Sequence, residues 1–415
     1  MASADATSKP FGMAIVGCGQ IVTHHLTAMA KKGLFANNLF RVKALVDPNP
    51  ERRHVLQEQL KSQQPSSSVA PLLNEYSTLE ELLSNITNDD IDVIFMAVPH
   101  DLHYQIAVQA MTSVQNKIIV MEKPLAPTLE QCQRLVELSS KNSSSTTPSN
   151  NMLIVAEQSP YWEEVVLAKK LIQKEGAIGR VVSAASYYYE SMRDNVTSGD
   201  VASDGCGLGW RGSLQRAGGG IAIDGGLHWI RPIREMLGTR IANVVAVTRS
   251  KIQPSLKMEG ESIGHALFEM EPPSNDDVDT NKNLIQPEGS GPLVATYSCN
   301  MLATAPMAHD ACPYFRITGD QGEIIIHGDG LFKDQPGCGG LKLYNSEHPY
   351  GKEMFPSDRK GGFFLGFAGL WERIHQICIH KDKVAAHETV VRASDDVKVV
   401  LAMYKSAKTR QWVAT

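Results

Sequence analysis

Short apolar segments alternate with longer helix-like segments through residues 11–157, and this alternation constrains the fold more than any other feature of the chain. The apolar segments are FGMAIVG (11–17), FRVKALVD (40–47), IDVIFMAVP (91–99), KIIVM (117–121) and MLIVAEQ (152–158). The helix-like segments are IVTHHLTAMAKKGL (21–34), PERRHVLQEQLKSQ (50–63), STLEELLSN (77–85), HYQIAVQAMTS (103–113) and TLEQCQRLVELSS (128–140). Strands that alternate with helices in this way predict a parallel sheet covered by helices on both faces, the doubly wound α/β class.

The pattern changes after residue 158. One more helix-like segment, 163–176, precedes six stretches in which apolar and polar residues alternate. These stretches are VVSAASYYYE (181–190), IANVVAVTRS (241–250), HALFEMEP (265–272), PLVATYSCN (292–300), YFRITGD (314–320) and GEIIIHG (322–328). Such alternation predicts a large, mostly antiparallel sheet with one face packed against a core. Helical patterns return at 370–380 and 395–408, so this second part is also predicted to be α/β.

Two domains follow from this division, an N-terminal one over 11–157 and a C-terminal one over 158–415. At roughly 150 residues per domain, a chain of 415 residues is long enough for two or three. The polar stretches 141–151 and 274–292 cannot bury apolar area, so we predict an exposed insertion in each domain. Residues 1–10 are predicted to be a disordered tail.

Composition and charge argue against several classes of protein. The net charge is −5 and the basic residues are scattered, which does not suit a nucleic-acid partner. No apolar run approaches the roughly 18 residues that a membrane span needs, and the first residues resemble neither a signal peptide nor a transit peptide. The seven cysteines are dispersed without a C-x-x-C motif, which predicts reduced thiols and a cytoplasmic location.

The segment GCGQIV (17–22) lies where the first strand is predicted to end and the first helix to begin. Two glycines at this spacing allow a tight turn and the close approach of a pyrophosphate, which a helix N-terminus then binds. Asp47 ends the second strand, where an acid accepts hydrogen bonds from both ribose hydroxyls and repels a 2′-phosphate. These features predict a Rossmann domain that binds NAD rather than NADP, although Arg52 and Arg53 could offset the preference. The predicted cofactor-binding residues here are Gly17, Cys18, Gly19, Gln20, Ile21 and Asp47.

Two more motifs follow the later strands of the predicted sheet. VPHDLH places Pro99, His100 and His103 after one strand, and EKP places Glu122 and Lys123 at the end of the next. The carboxyl ends of parallel strands face the ligand in such sheets, so all five residues are candidate cofactor-binding residues. A lysine held there by the following proline can also serve as a general acid or donate to a substrate oxygen. Taken singly, each histidine is more often a helix cap or a loop contact, and a lysine beside a turn is usually solvated.

A third constellation, WRGSLQRAGGGIAIDGGLHWI, spans residues 210–230. Asp224 and His228 are four residues apart, hence on one face of any helix there, and could act together as an acid–base unit. The alternative interpretation is a helix start with Asp224 as its N-cap and His228 in the core. A metal site is disfavoured, because two candidate ligands have no obvious third.

Together these motifs resemble the glucose–fructose oxidoreductase / inositol dehydrogenase / MocA (Gfo/Idh/MocA) family, over most of the chain. The resemblance rests on GCGQI, VPHDLH, EKPLA, WR, GGG and the D-x-x-x-H of Asp224 and His228. It implies a Rossmann domain followed by an α/β domain whose open sheet often forms an oligomer interface. It also implies NAD(P)-dependent chemistry, with Lys123 and His228 as the acid–base pair and Asp224 in support. The predicted substrate-binding residues are Lys123, Tyr161, Trp162, Trp210, Arg211, Asp224 and His228.

The resemblance implies an oxidoreductase that interconverts a hydroxyl and a carbonyl on a sugar, inositol or related polyol, assembled as a homodimer or larger even oligomer. Two departures from the family pattern leave the substrate open: Arg231 stands where many members have an acid, and VAEQSPYW (155–162) replaces their usual V-x-x-x-x-R-F-x-P. Two alternatives remain, a non-catalytic sensor or repressor of the same fold and a glycosidase that uses transient oxidation by NAD. Turnover of any sugar excludes the sensor, and cleavage of an aryl glycoside without net NADH identifies the glycosidase.

Overall fold

The computed structural model describes residues 9–63, 73–86, 90–143, 150–189, 208–252, 258–272, 284, 286–302, 313–327, 340–355 and 363–415. Residues 1–8 of the predicted tail (1–10) lie outside the described residues, as do 144–149 of the first predicted insertion (141–151) and 274–283 and 285 of the second (274–292). Unit 1 comprises residues 1–126, 130–157 and 367–394, and unit 2 comprises 127–129, 158–366 and 395–415.

Unit 1 is built on a six-stranded sheet in the order β3-β2-β1-β4-β5-β6, with every neighbouring pair parallel. Its strands are β1 (Phe11–Val16), β2 (Phe40–Val46), β3 (Asn74–Tyr76), β4 (Val93–Met96), β5 (Ile118–Glu122) and β6 (Met152–Ala156). Its connecting helices are α1 (Gln20–Lys31), α2 (Pro50–Gln63), α3 (Leu79–Asn85), α4 (His100–Ser113) and α5 (Leu129–Ser143). Strands β4, β5 and β6 are buried at every residue, as expected when helices cover both faces of a parallel sheet. The predicted doubly wound sheet is therefore confirmed.

A segment close to the C-terminus, Phe367–Ser394, belongs to unit 1. The Trp371 ring lies 5.4 Å from that of Phe40 and 5.2 Å from that of Phe95, both edge to face. Thr389 accepts a hydrogen bond of 2.9 Å from the backbone of Val155 on β6. The sequence pattern placed everything after residue 158 in the second domain, because contacts between segments this distant leave no periodic signal.

The first predicted insertion, 141–151, differs from expectation at both of its described ends. Helix α5 continues to Ser143, and Asn151 is buried with 1 % of its surface exposed. The Asn151 side chain accepts from the backbone of Lys117 at 2.8 Å and donates to the carbonyls of Met111 and Val114. Because these bonds satisfy the backbone groups of a buried turn, Asn151 is a structural residue of unit 1 and does not lie in an exposed loop.

Unit 2 contains a nine-stranded sheet in the order β14-β13-β12-β11-β7-β10-β9-β8-β15, in which β7 and β10 are parallel and the other pairs antiparallel. Its strands are β7 (Val181–Tyr189), β8 (Ile241–Ser250), β9 (Glu261–Met270), β10 (Val294–Asn300), β11 (Pro313–Gly319), β12 (Gly322–His327), β13 (Gly340–Asn345), β14 (His348–Glu353) and β15 (Val413–Ala414). The other helices of unit 2 are α6 (Glu163–Gln173), α7 (Leu214–Ala217), α8 (Ile221–Asp224) and α9 (Leu227–Leu237). Helices α10 (Phe363–His380) and α11 (Lys383–Thr409) each have residues in both units, since 367–394 belong to unit 1. This sheet confirms the predicted mostly antiparallel one.

Helix α9 supplies much of the unit 2 core. Trp229 stacks on Tyr188 of β7 with ring centroids 4.1 Å apart, and Trp162 meets Trp229 edge to face at 5.6 Å. In the second predicted insertion, Leu284 is buried with this core, so that stretch is not entirely a surface loop.

A buried group of charged side chains joins α9 to the middle of α11 within unit 2. Arg231 Nε donates to Asp396 Oδ2 at 2.7 Å, and Arg234 pairs with both Asp395 and Asp396. Burying charges is costly unless each is matched, and these carboxylates provide the match for both guanidinium groups. Arg231, the predicted departure from the family pattern, thus serves the packing of α9.

Candidate functional site

The turn after β1 depends on Gly17. Its backbone has φ +89°, and its N–H donates to the carbonyl of Val46 on β2 at 2.8 Å. A Cβ atom at this position would lie 2.2 Å from the carbonyl oxygen of Ala97. Only glycine fits both the left-handed backbone and the close contact, so the first residue of the predicted fingerprint has a steric reason.

Gly19 precedes the first turn of α1 and differs from Gly17. A Cβ there would meet no atom of the described residues within 4 Å apart from its chain neighbours. Gln20 and Ile21 lie in the first turn of α1, which contains no acidic side chain. The free N–H groups and the positive dipole end of this helix therefore favour the binding of an anion. Val22 stands where the G-x-G-x-x-G pattern usually has a third small residue; it is fully buried, so unit 1 accommodates its bulk between helix and sheet. An open glycine beside a helix N-terminus is the arrangement that a dinucleotide pyrophosphate requires, and these residues fit that group.

Alanine substitutions at Gly17 and Gly19 test two different effects, backbone strain at Gly17 and access of the ligand at Gly19. We expect Gly17→Ala to destabilise unit 1 by about 1–3 kcal/mol, because it forces a side chain into left-handed backbone against a carbonyl. Gly19→Ala should unfold like the wild type but bind NAD about tenfold or more weakly, because its methyl group lies where the pyrophosphate approaches. Denaturant unfolding and calorimetric titration with NAD measure the two effects. Equal NAD affinity of Gly19→Ala and the wild type would contradict the assignment.

Asp47 lies at the carboxyl end of β2 and is mostly buried. Its Oδ2 accepts from the backbone of Cys18 at 2.9 Å, and its Oδ1 accepts from Asn49 at 2.8 Å. The carboxylate is therefore fixed against the glycine turn, and each oxygen retains further acceptor capacity. Burial, followed by the nearby Asp47 charge, raises the pKa of the Cys18 thiol to about 12, so the thiol stays neutral. Cys18 holds the Asp47 carboxylate through its backbone N–H.

The VPHDLH motif leads from β4 into α4. Pro99 is the N-cap of α4, and His100 is its first residue. The buried His103 ring contacts two carbonyl oxygens, that of Pro124 from Nδ1 at 2.6 Å and that of Val98 from Nε2 at 2.9 Å. Burial lowers the pKa of His103, which favours the neutral ring. A neutral ring carries one N–H, so His103 donates to one of these two carbonyls and packs against the other. Direct cofactor contact by His100 or His103 stays a prediction.

Glu122, the last residue of β5, is part of a buried chain of hydrogen bonds. His25 on α1 contacts Glu122 Oε1 through Nε2 at 2.5 Å and receives the indole N–H of Trp371 on Nδ1 at 2.9 Å. Since an indole nitrogen can only donate, Nδ1 accepts and Nε2 carries the hydrogen given to Glu122. The other carboxylate oxygen accepts from the backbone N–H of Lys123 at 3.2 Å. Glu122 therefore anchors the backbone of Lys123, whose half-buried side chain follows the strand.

His25 and Trp371 are not predicted as site residues from the sequence. A signal for His25 was present, because it shares the buried face of α1 with Val22, Leu26 and Met29 at helical spacing. Trp371 gives no comparable signal, since it lies 346 positions from its partner. The peptide bond between Lys123 and Pro124 is cis.

The parallel order β2-β1-β4-β5 brings the unit 1 candidates to one edge of the sheet. Gly17 follows β1, Asp47 follows β2, Pro99 follows β4 and Lys123 follows β5, all at carboxyl ends. Strands β1 and β4 are where the connections change direction, the position at which such sheets bind nucleotides. The glycine fingerprint, the predicted ribose-binding acid and the candidate proton donor therefore all lie at the ends of neighbouring strands.

In unit 2, close packing around the GGG motif leaves no room for a side chain at Gly218, Gly219 or Gly220. Gly218 has φ +84° and faces Pro127, whereas a Cβ on Gly219 would lie 2.2 Å from the hydroxyl of Tyr404. A Cβ on Gly220 would lie 2.1 Å from the carbonyl oxygen of Glu261. The three glycines thus allow the chain to pass between α11 and β9 before α8 begins.

Glu261 holds this turn in place and was not found by the sequence analysis. Its carboxylate accepts from the backbone of Gly220 and of Ala222 and from the hydroxyl of Tyr404, each at 2.9 Å. Burial raises the pKa of Glu261 above its ordinary value. Glu261 is 41 positions after Gly220, so only the tertiary structure reveals the pairing.

Asp224 ends α8, and His228 is the second residue of α9. The prediction that they share one helix is wrong, because the helix is interrupted at Gly225 and Gly226, where Tyr188 and Tyr297 approach the backbone. Arg211 Nε donates to Asp224 Oδ2 at 3.0 Å. Asp224 is half-buried, so this exposed arginine orients a carboxylate that ligands can still reach. Asp224 is not an N-cap, so that part of the alternative interpretation is wrong, whereas His228 is buried, as the alternative expected.

His228 lies against aromatic side chains, with Trp162 at 6.5 Å between ring centroids. Trp162 is 1 % exposed and packs on Gly366, so it supports His228 from the core. Tyr161 is half-buried beside it, and Trp210 stacks under the Arg211 guanidinium at 4.5 Å. Contact of these residues with substrate stays a prediction.

The described residues contain no group of three His, Cys, Asp or Glu side chains that could hold a metal ion. Within that same part of the chain, no helix is long and apolar enough to cross a membrane.

Comparison with protein families extends over both units. Residues 11–148 match the oxidoreductase family model described as an NAD-binding Rossmann fold, and residues 165–325 match the Gfo/Idh/MocA C-terminal domain. The chain belongs to the Gfo/Idh/MocA family. The predicted family and NAD-binding fold are thereby confirmed.

Individual members of the Gfo/Idh/MocA family are distant in sequence. Levoglucosan dehydrogenase of Pseudarthrobacter phenanthrenivorans is 28 % identical over 286 residues, which cover 66 % of this chain and 67 % of that protein. An uncharacterized oxidoreductase of Schizosaccharomyces pombe is 26 % identical over 48 % of this chain, and the match spans about half of that relative, 47 %. The crystal structure of aldose-aldose oxidoreductase from Caulobacter crescentus superimposes with a TM-score of 0.71 at 19 % identity, covering 98 % of this chain and 100 % of the other. This last similarity establishes the fold.

Proposed function

We propose that this protein is an NAD(P)-dependent dehydrogenase or reductase that interconverts a hydroxyl and a carbonyl on a sugar, inositol or related polyol. The observation that carries the proposal is the placement of Lys123. Its backbone is anchored by Glu122 at the end of β5, on the same sheet edge as the Gly17 turn and Asp47. A lysine fixed at the nucleotide edge suits proton transfer to a substrate oxygen.

Oxidation of a secondary alcohol removes one hydride and one proton from the substrate. NAD, when bound, supplies the hydride acceptor. The residues of this chain bind and orient the reactants, and Lys123 or His228 takes the hydroxyl proton as the carbonyl forms. Asp224, itself held by Arg211, supports this acid–base pair.

The substrate class is supported by the relatives. The names of two of them, levoglucosan dehydrogenase and aldose-aldose oxidoreductase, refer to sugars. The exposed Arg211 guanidinium and the half-buried Asp224 carboxylate offer a donor and an acceptor, the groups that polyol hydroxyls require. Lys123, Tyr161, Trp162, Trp210, Arg211, Asp224 and His228 are the proposed substrate-binding residues.

A substrate panel tests the proposal directly. Purified protein with NAD or NADP is supplied with aldoses, inositols, anhydrosugars and dihydrodiols, and formation of the reduced nicotinamide is followed by absorbance. We expect at least one polyol to give steady turnover. NAD binding without turnover of any compound would favour a sensor, and release of the aryl group from an aryl glycoside without net NADH would favour a glycosidase.

The unit 2 sheet is also proposed to form the interface of a homodimer or larger even oligomer. On β9, Leu267 is 41 % exposed between two buried neighbours, and on β8, Val247 is 46 % exposed next to the buried Ala246. Apolar side chains on a sheet face favour burial against a second copy. The remaining partner and location predictions, no nucleic acid, no membrane and a cytoplasmic enzyme, stay predictions.

An interface mutation tests the assembly. We expect light scattering to give twice the chain mass, or a larger even multiple, at micromolar concentration. Leu267→Asp should shift this mass toward that of one chain, because a charge would be buried in the interface. Val384→Asp is the control, since Val384 is 77 % exposed on a helix remote from that sheet face in sequence and should leave the mass unchanged. A monomer mass for the unaltered protein would refute the prediction.

A further inference from the structure

We propose that Glu75 is a second determinant of cofactor choice, and that it acts by holding Arg53 away from a 2′-phosphate. Glu75 is the middle residue of the edge strand β3. Its Oε2 accepts from Arg53 Nε at 2.9 Å. The inference deepens the proposed function and rests on the prediction that Asp47 binds the cofactor ribose.

Arg53 is fixed at two points. Besides the bond to Glu75, its Nη1 donates to the backbone carbonyl of Asp47. Only 12 % of the Arg53 side chain is exposed, against 35 % for Glu75. The guanidinium is therefore packed at the end of β2, beside the carboxylate that is proposed to bind the adenosine ribose.

This location decides what the arginine can do. NADP differs from NAD by a phosphate on the ribose 2′-oxygen, and an arginine near this position is the group that commonly accommodates it. The Glu75 carboxylate already neutralises the Arg53 charge and directs its Nε toward β3, so the guanidinium offers a phosphate less attraction than an unpaired arginine would. The phosphate would therefore meet two carboxylates, Asp47 and Glu75, around one arginine that is already paired.

Arg52 is the other basic residue of this segment. Its side chain is exposed at the start of α2, where its backbone N–H donates to Asn49 Oδ1 at 3.4 Å. It is a rival for any phosphate contact, and the experiment must separate the two arginines.

The expected behaviour follows from the pairing. Removing Asp47 alone leaves Glu75 neutralising Arg53, so Asp47→Ser should weaken NAD binding and improve NADP binding only slightly. Removing Glu75 alone leaves the Asp47 repulsion, so Glu75→Gln should change the affinity for NAD little. Removal of both carboxylate charges should leave the Arg53 guanidinium without a neutralising charge beside the ribose, since an amide at position 75 can accept a hydrogen bond but carries no charge. The gain in NADP affinity should then exceed what either change gives alone.

A double-mutant cycle measures this coupling by binding. Dissociation constants for NAD and NADP are determined by calorimetry for the wild type, Asp47→Ser, Glu75→Gln and the double variant. We expect the double variant to bind NADP about tenfold more tightly than the product of the single effects predicts, a coupling of roughly 1.4 kcal/mol. Adding Arg53→Gln to the double variant should abolish the gain, and adding Arg52→Gln should not.

Controls separate this inference from the function on which it rests. Asp47→Ser with Glu58→Gln removes an exposed carboxylate of α2 that pairs with Lys61 and should show no coupling. Glu75→Ala repeats the measurement if Glu75→Gln fails to fold. Independent single effects, or a gain that depends on Arg52, overturn the inference. A loss of NAD affinity in Glu75→Gln also overturns it, because Glu75 would then contact NAD itself. If the wild type binds neither nucleotide, the proposed function fails as well.

Discussion

Lys123→Met should lower kcat by about 10²–10⁴-fold, the usual contribution of a positioned proton-transfer group, and leave the dissociation constant of NAD nearly unchanged. Methionine keeps a similar bulk but has no titratable nitrogen. The proposed pyrophosphate and ribose contacts belong to the turn after β1 and to Asp47, which the substitution does not touch. Steady-state kinetics on the best compound of the panel and calorimetry with NAD provide the two numbers.

Two further variants sharpen this prediction. Lys123→Arg keeps the positive charge but not a transferable proton, so it should hold substrate better than Lys123→Met while kcat stays low. Lys61→Met, on the outer face of α2, is the control and should behave as the wild type. If Lys123→Met kept its kcat and only lost affinity for NAD, the lysine would be a cofactor ligand.

The hydrogen-bond chain behind Lys123 gives a physical reason for an acidic residue at the end of a buried strand. A carboxylate with so little exposure needs a donor on each oxygen. His25 supplies one and the Lys123 backbone the other, while Trp371 fixes which ring nitrogen of His25 carries the hydrogen. Glu122 therefore belongs to the support of the strand end, and contact with the cofactor is a separate prediction for it.

Local patterns were enough to predict the strands of unit 1 that carry the cofactor fingerprint. Each is a short apolar run between turn residues, and each motif directly follows its strand in the sequence. The Gly17 turn, Asp47 and Lys123 could be placed on one edge because parallel strands that alternate with helices end on the same side. The antiparallel class of the second sheet was likewise readable from alternation, but its strand order was not.

The features that escaped prediction depend on partners far apart in the chain. Glu261 is identified only by its bonds to Gly220 and Tyr404, and Arg53 only by its bond to Glu75. In the sequence, a charged residue such as Glu261 or Arg53 cannot be distinguished from one that is exposed to solvent. The interruption of the helix between Asp224 and His228 was not predicted for a different reason. Two glycines within a helical pattern do not reveal that the side chains of Tyr188 and Tyr297 pack against the backbone there.

His228→Ala should also reduce kcat, by about 10²–10⁴-fold if the imidazole takes part in proton transfer. Because His228 is only 8 % exposed, His228→Ala also removes buried packing. His228→Gln keeps a similar volume, so measuring it together with His228→Ala tests whether lost packing explains the effect. Thermal unfolding of both variants supplies the check. A variant with full stability and low kcat assigns the loss to chemistry.

The double variant Lys123→Met with His228→Ala then tests whether the two residues act as one unit. Groups that serve the same proton transfer are strongly non-additive, because removing the first already disables the step that the second assists. We expect the double variant to lose much less activity than the product of the two single losses. Asp224→Asn should show the same non-additivity with His228→Ala, since an amide keeps the bond from Arg211 but not the charge. Fully multiplicative losses would mean that Lys123 and His228 serve separate steps, and one of them would then have to be assigned to substrate binding by its effect on KM.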